Sequence, residues 1–306
     1  MDQMNSGLLE GFCQDCQMRN IKSIKPYAAY VKQYLELLAS RSKDPYNADK
    51  NDLKAYLSSL RQRGLKQASI EKAFTALSSF YTYMVDEELI SSNPVSSFKR
   101  RYLRKYKGEN ASETRQIISV EQASLLVNST LSSRDKAILV LLFKTGMRIG
   151  ELCSLDVDDI DFENLALRLK PTAKRSNRLL VFDSEAEYVL RAWLQFRKDK
   201  NKKGTPALFL SREGLRISLA QIEYIVEKHA SRVGLHNPGS RRLEDRFTPH
   251  CCRHWFTTHL IRAGMPRDFV KELRGDVRHE AIDIYNHIDK KELKESYLAH
   301  IPQLGI

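Results

Sequence analysis

Two stretches in the last third of the chain contain side chains that suit chemistry on a phosphate group. Residues 248–254 read T-P-H-C-C-R-H, and residues 274–285 read R-G-D-V-R-H-E-A-I-D-I-Y. His250 and Arg253 lie about one helical turn apart, and the second stretch ends on Tyr285. A guanidinium can bind a phosphate, an imidazole can carry a proton and a tyrosine hydroxyl can act as a nucleophile. Together these residues indicate chemistry on a phosphate.

The first stretch has the features of a helix start. Thr248 can cap the helix, Pro249 suits its first position and Gly264 can close it. Helical periodicity predicts that His250 and Arg253 lie on an exposed face. The opposite face is predicted to pack, and it carries Cys252, Trp255, Phe256, His259, Leu260 and Ala263.

Size and composition indicate the partner of this site. The chain has 306 residues, 42% of them hydrophobic, and a formal net charge of +12. The length suits two domains, and the charge favours a nucleic-acid partner over a merely solvated basic surface. No apolar run reaches membrane-spanning length, and the first residues lack the pattern of a signal peptide. We therefore expect a cytoplasmic, nucleoid-associated protein with no membrane partner.

The five cysteines are too few and too irregularly spaced for a disulfide framework. Cys13 and Cys16 form a single C-x-x-C without a second pair, which favours ordinary thiols over structural zinc. Cys251 and Cys252 are adjacent, so on a helix they point apart and are poorly placed to share a metal. The sequence predicts no metal centre.

Hydrophobic periodicity divides the chain into four parts. Residues 1–20 are polar and weakly periodic, which predicts a loosely held N-terminal arm. Residues 21–97 show helical apolar patterns and predict a small all-helical domain. Its third helix carries an aromatic stripe that we expect to form core rather than a base-stacking platform. A basic linker over 98–116 then leads to a second domain over 117–306.

The linker carries Arg100, Arg101 and Lys105. These charges fit a strap over a DNA backbone, although a plain solvated linker has a similar composition.

The second domain mixes helices with a little sheet. A buried helix over 135–144 breaks at Gly146, and Arg148 follows directly. Two apolar stretches, 165–169 and 178–182, predict the strands of a basic hairpin. Further expected elements are helices over 184–198 and 218–232, a strand over 207–210 and an apolar C-terminal tail. The tail either folds back on its own domain or docks on a neighbouring subunit.

Four features, in this order along the chain, resemble the tyrosine recombinase (phage-integrase) family, in particular its Xer-like and archaeal types. They are T-G-M-R-I-G-E-L with Arg148, a hairpin lysine, H-x-x-R-H with His250 and Arg253, and a glycine followed ten residues later by Tyr285. The resemblance covers nearly the whole chain. It implies a mostly α fold with a small β-sheet, in which an N-terminal helical, SAM-like core-binding domain precedes an α+β catalytic domain.

The resemblance also implies roles for these residues. Arg148 and Arg253 clamp the scissile phosphate, and Tyr285 attacks it to give a 3′-phosphotyrosyl intermediate. His250 accepts and returns the proton, and a hairpin lysine protonates the 5′-oxygen. Because the phosphotyrosine keeps the bond energy, the reaction needs no ATP, metal or other cofactor. Counting back from R-L-L-V-F favours Lys174 as that lysine, while Lys170, which we expect in the strand, is the alternative.

One position departs from the family pattern. Asp276 stands where a His or Trp usually follows the glycine, and an ionised carboxylate cannot donate a hydrogen bond to a phosphate. Three interpretations are open. Asp276 accepts a hydrogen bond from Arg148, Arg253 or His250 and orients it, His279 replaces the missing donor, or the site is weakened. We favour the first. Glu151, one turn after Arg148, either buttresses that arginine or is an ordinary exposed charge.

The resemblance implies a double-stranded DNA recombination site as partner and a tetramer on two synapsed sites. Lys66 and Ser69, near the start of the third helix, are candidates for contact with a DNA groove. The alternative function is a non-catalytic DNA-binding architectural or regulatory factor of the same ancestry, which only the Asp276 departure favours. A third possibility is a relaxing topoisomerase of type IB chemistry.

Overall fold

The computed structural model describes residues 3–21, 24–103, 115–171, 179–240, 242–275 and 288–306. The chain divides into two compact units, residues 1–110 and 111–306. Among the described residues, helices make up most of both units and a small sheet lies in the second, so the predicted fold class is confirmed. In the described ranges, no helix is both long and apolar enough to cross a membrane.

The first unit is built from helices alone in its described part. They are α1 (Gln3–Met18), α2 (Ile24–Ser40), α3 (Lys50–Gln62), α4 (Gln67–Asp86) and α5 (Pro94–Tyr102). The aromatic stripe of α4 faces inward, as predicted. Phe74 stacks on Phe98 with ring centroids 5.3 Å apart, and the buried hydroxyls of Tyr34 and Tyr81 lie 3.2 Å apart. The stripe is therefore core.

The arm predicted for residues 1–20 is wrong. These residues form α1, whose Leu8, Phe12 and Cys16 are buried in the core of the first unit. Phe12 is 1% exposed and meets the ring of Phe80 edge-on at 5.5 Å. The three inward residues recur every fourth position, and this narrow stripe among polar residues was too sparse to stand out as a helical period.

The predicted start of the linker at residue 98 is also wrong. Helix α5 continues to Tyr102, and Phe98 and Leu103 are buried in the first unit. Arg100 and Arg101 therefore occupy the last turn of a helix, where positive charge is favourable beside the free carbonyl groups. A basic cluster at the end of a helix has the same composition as a basic linker, so the sequence did not separate the two.

The second unit is organised around a buried helix. Its described α-helices and strands are α6 (Val120–Asn128), α7 (Ser133–Thr145), α8 (Ile149–Ser154), β1 (Ile160–Asp161), β2 (Ala166–Arg168), β3 (Leu179–Val181), α9 (Ser184–Lys200), α10 (Leu219–Arg232), α11 (Pro249–Arg262), α12 (Arg267–Arg274) and α13 (Lys290–His300). Residues 137–145 of α7 are all buried, and α7 packs against both α9 and α11. A helix that is apolar on every side needs such neighbours all round it.

The sheet is antiparallel with strand order β1-β2-β3. Strand β2 lies in the middle, where Leu167 pairs with Ile160 on one side and with Leu180 on the other. The predicted hairpin strands are present, but the strand predicted over 207–210 does not join this sheet. Ala207 and Leu210 make only isolated bridges, and their apolar character reflects burial beneath α9.

The C-terminal tail folds back on its own unit. Lys144 of α7 is fully buried, and its ammonium group lies 2.6 Å from Asp183, 2.5 Å from Glu185 and 2.7 Å from the carbonyl oxygen of Pro302. The Glu185 carboxylate also accepts from the backbone N–H of Leu304, at 2.8 Å, and of Ile306, at 3.0 Å. The tail thus completes a buried charge cluster beside the C-terminal end of α7.

Candidate active site

The site lies where α7 ends. Gly146 closes α7 in the left-handed conformation, with φ +57°. A Cβ atom at this position would lie 2.4 Å from Cδ1 of Phe256 on α11. Only glycine allows both this backbone conformation and this close packing of α7 on α11. Gly146 therefore fixes the distance between the segment that carries Arg148 and the helix that carries Arg253.

Arg148 is held by Glu151. The backbone N–H of Arg148 donates to Oε2 of Glu151 at 2.7 Å, and its guanidinium Nη1 donates to Oε1 at 3.1 Å. Glu151 is buried, whereas the Arg148 side chain is 29% exposed. Of the two interpretations of Glu151, the structure supports the one in which its carboxylate holds Arg148 in place. The arrangement fixes one edge of the guanidinium while its side chain stays partly open to solvent.

The helical period predicted that Arg253 lies on an exposed face, and this prediction is wrong. Arg253 is 7% exposed, and its guanidinium donates to the carbonyl oxygens of Gly146, at 2.7 Å, and Arg274, at 2.9 Å. The period gives the direction of a side chain but not the neighbouring segments that cover it. Arg253 thereby joins α11 to the ends of α7 and α12, and lies beside the segment that carries Arg148.

His250 is exposed on the first turn of α11. Partial desolvation lowers the pKa of its imidazole, and the positive charges of Arg115, His254, Arg253 and Arg148 act in the same direction. The ring is therefore predominantly neutral near pH 7, and a neutral imidazole can accept a proton. The structure thus brings Arg148, His250 and Arg253 into one positively charged region.

The sequence analysis missed Arg115 and Arg274 as parts of this region, and it named Gly146 only as the end of a helix and not as a partner of Arg253. Arg274 contributes a carbonyl group, which every residue has, and Arg115 stands among polar residues without an apolar period. The helix end at Gly146 was predicted, because a glycine directly after a buried helix is a common helix end, but its hydrogen bond to Arg253 has no counterpart in the sequence.

The hairpin places Lys170 away from the strand in which it was expected. Strand β2 ends at Arg168, and the exposed Lys170 forms an ion pair with Asp156 at 2.5 Å. Asp156 also pairs with Arg216. Although desolvation works in the opposite direction, the hydrogen bonds from both cations lower the pKa of Asp156. The ammonium group of Lys170 is therefore already paired within the unit.

Several predicted site residues lie outside the described residues: Lys105, Lys174, Asp276, His279 and Tyr285. The described chain stops at Gly275, next to Arg274, whose carbonyl group binds Arg253. In the first unit, Arg100 and Arg101 are exposed at the end of α5, Lys66 is the exposed N-cap residue of α4, and Ser69 is half-buried in its first turn.

The cysteines beside His250 are packing residues. Cys252 is fully buried, and burial raises the pKa of its thiol well above the ordinary value. Cys251 is also buried, and its thiol donates to the carbonyl oxygen of Arg246 at 3.5 Å. Both side chains are therefore part of the hydrophobic core of the second unit.

Comparison with known proteins identifies the class of enzyme. The model of the phage integrase family matches residues 110–292, and that of the phage integrase N-terminal SAM-like domain matches residues 8–91. The chain is 31% identical over 271 residues to tyrosine recombinase XerC of Pelotomaculum thermopropionicum, which covers 85% of this chain and 83% of the relative. It is 27% identical over 303 residues to tyrosine recombinase XerC of Thermodesulfovibrio yellowstonii, which covers 94% of each.

The fold also matches a solved structure, that of the XerH site-specific recombinase bound to a palindromic difH substrate. The TM-score is 0.67 at 21% identity, over 94% of this chain and 82% of that chain. The chain belongs to the phage integrase family, the tyrosine recombinases. It is a site-specific DNA recombinase, an enzyme that cleaves and rejoins DNA strands through a 3′-phosphotyrosyl intermediate.

Proposed function

We propose that Tyr285 is the nucleophile of this reaction and that the region around α11 binds the scissile phosphodiester. The Tyr285 oxygen forms a bond to phosphorus as the bond from phosphorus to the 5′-oxygen breaks. The tyrosine proton passes to His250, and Lys174 protonates the departing 5′-oxygen. Rejoining reverses each transfer, with a 5′-hydroxyl as the attacking group.

The observation that carries this proposal is the placement of Arg253. Its hydrogen bond to Gly146 brings the guanidinium beside the segment that carries Arg148, next to the neutral His250. During transfer the phosphate gains negative charge on its non-bridging oxygens. Two guanidiniums fixed before the substrate arrives stabilise that charge without reorganising, which is usually the largest electrostatic contribution to such a reaction.

The pairing of Lys170 supports Lys174 as the general acid. Lys170 lies 2.5 Å from Asp156, so releasing its ammonium group to the substrate would break an ion pair that Arg216 shares. Lys174→Ala is expected to slow cleavage with an ordinary 5′-oxygen leaving group but to leave cleavage intact with a 5′-bridging phosphorothiolate, which needs no protonation. Equal losses with both substrates would remove Lys174 from this role.

For Asp276 we propose orientation of the arginines or of His250. Asp276→Asn keeps the size of the side chain but removes the charge, so it is expected to slow cleavage of a nicked substrate. Unchanged cleavage by this variant would rule out the proposed role.

The substrate is double-stranded DNA, and both units contribute cations to it. In the first unit these are Arg100 and Arg101 on α5 and Lys66 at the N-cap of α4, and Lys105 follows them in the chain. The hydroxyl of Ser69 in the first turn of α4 is a further candidate for contact with the DNA. A protein that makes six to ten phosphate contacts loses roughly 10³–10⁵ in affinity between 50 and 200 mM salt. Such a steep salt dependence is expected here, and the DNA places the enzyme at the nucleoid.

The active assembly is a tetramer on two synapsed DNA sites. Deletion of the C-terminal tail is a poor test of the tetramer, because it would unfold the second unit. The tail residues buried in that unit include Tyr297, Ile301 and Leu304. Sedimentation of the protein with two DNA sites is the better measurement. A complex with four protein copies is expected, and a complex that never exceeds two copies would contradict the tetramer.

One experiment tests the enzymatic proposal directly. The protein is incubated with a nicked duplex that carries a repeat from the DNA flanking its gene, and covalent adducts are resolved in SDS. The wild-type protein is expected to form an adduct that Tyr285→Phe abolishes. Site-specific binding without an adduct would favour a non-catalytic DNA-binding factor. Relaxation of supercoils at any sequence would favour a type IB topoisomerase activity.

A further inference from the structure

Arg115 lies beside the first turn of α11. Its guanidinium Nη1 donates to Oγ1 of Thr248, the N-cap residue of α11, at 3.4 Å. Within the described part of the chain, this is the one hydrogen bond that Arg115 makes. The amino end of a helix already carries partial positive charge, so a guanidinium there adds to the positive potential. Arg115 and α11 together form a position that favours an anion.

The exposed side of α11 extends this position. His250 and His254 lie one turn apart on the exposed face of the helix, with Arg115 at its amino end. After partial desolvation, the charge of Arg115 is the largest influence that lowers the pKa of either imidazole. His254, Arg253 and Arg148 also face His250 and act in the same direction. The region therefore carries excess positive charge while no DNA is bound.

We propose that Arg115 is a positioning residue of the phosphate site, whose guanidinium beside the first turn of α11 binds a DNA phosphate next to the scissile one. The proposal rests on the function proposed above. In the free protein, the charge of Arg115 opposes protonation of His250. A bound phosphate offsets this charge, so the imidazole becomes a stronger base when it must take the proton of Tyr285. Arg115 thus couples substrate binding to the strength of the general base.

The first test uses the free protein and needs no catalysis. The titration of His250 is followed by NMR in the wild-type protein, Arg115→Gln and Arg115→Lys. The glutamine variant is expected to raise the pKa of His250, because one repelling charge is gone, whereas the lysine variant keeps the charge and the low pKa. An unchanged titration in Arg115→Gln would overturn the proposal, whatever the protein does to DNA.

Lys202→Gln is the matched control, since it also removes one exposed positive charge from the second unit. Lys202 lines a cavity with Ser133 and Arg134 at the start of α7, whereas Arg148 follows the end of that helix. The 13 residues of α7 separate the two ends by about 20 Å. Lys202→Gln is expected to leave the titration of His250 unchanged.

The second test uses a nicked DNA substrate. Arg115→Gln is expected to lower the salt dependence of binding by about one phosphate contact. It is also expected to move the acid limb of the pH–rate profile for adduct formation to higher pH, and Arg115→Lys should restore both. A uniform loss of rate at every pH, with an unchanged salt slope, would reduce Arg115 to a structural role. If the wild-type protein forms no adduct through Tyr285, the enzymatic proposal fails while the NMR result still stands.

Discussion

Replacement of Gly146 by alanine tests how the end of α7 sets up the site. Gly146 has φ +57°, a left-handed conformation that costs a non-glycine residue about 1–2 kcal/mol. The added Cβ would lie 2.4 Å from the ring of Phe256, and overpacking of a buried ring costs about 1–3 kcal/mol. Gly146→Ala is therefore expected to lower the free energy of unfolding of the second unit by about 2–5 kcal/mol.

Gly234→Ala separates the effect of the left-handed backbone from the effect of the clash with Phe256. Gly234 also has a left-handed backbone, with φ +74°, but no heavy atom lies within 4 Å of where its Cβ would be. It should cost about 1–2 kcal/mol from the backbone alone. The assay is urea unfolding followed by tryptophan fluorescence, which reports on the second unit because both tryptophans, Trp193 and Trp255, lie in it.

The catalytic consequence follows from the hydrogen bond between Arg253 and the carbonyl oxygen of Gly146. Relief of the clash moves this carbonyl, so Gly146→Ala is expected to slow adduct formation even in buffer without urea, whereas Gly234→Ala should not. Equal unfolding midpoints for the two variants would refute the packing argument. A destabilised Gly146→Ala protein with a wild-type cleavage rate would refute the link to Arg253.

Four further changes have definite expected outcomes. Phe12→Ala should destabilise the first unit by about 3–5 kcal/mol without shifting the tryptophan transition. Met18→Ala, at an 83% exposed position of α1, is the control and should not destabilise the unit. Equal melting temperatures of the two variants by circular dichroism would instead support a loosely held N-terminal arm. Lys144→Met should cost the second unit about 3–5 kcal/mol, because it leaves buried carboxylates without their cation, and a neutral effect on the urea midpoint would contradict this. Although desolvation acts in the opposite direction, hydrogen bonds from Lys144 and from backbone N–H groups lower the pKa of Glu185 below its ordinary value of 4.5. The stability that the ionised Glu185 contributes is therefore present above pH 4.5 and is lost as the pH falls through the lower pKa of the folded state. Glu185→Gln should flatten this acid limb of the curve of unfolding free energy against pH. Glu151→Gln weakens a hydrogen bond to a charged group and should slow adduct formation about ten- to a hundredfold, with the DNA affinity nearly unchanged; a loss of affinity alone would point to a role in binding.

The sequence predicted the parts of the molecule that repeat a physical period or carry a distinctive side chain. The buried α7, the aromatic stripe of α4 and the two hairpin strands all have strong hydrophobic patterns, and each is present. Likewise four features in order, namely Arg148, a hairpin lysine, the pair His250 and Arg253, and Tyr285 ten residues after a glycine, predicted the family, and the family is confirmed.

Features that depend on contacts between distant segments were missed. The burial of Arg253 depends on carbonyl groups of Gly146 and Arg274, and a carbonyl group leaves no trace in the sequence. The packing of α1 depends on a partner surface made by α2 and α4, which no local pattern of residues 1–20 encodes. The place of Arg115 beside α11 is of the same kind.

The fixed guanidinium of Arg253 has an entropic consequence. A free arginine side chain has about 2 kcal/mol of rotamer entropy, which it loses when it binds an anion. Arg253 has lost that freedom already, since two backbone carbonyl groups hold it when the chain folds. If Arg253 binds a DNA phosphate as proposed, DNA binding orders one side chain fewer, and the entropy cost falls on the stability of the protein instead. Lysine has one ammonium group and cannot reach both carbonyls with a rigid fork, so it would return this cost to the binding step.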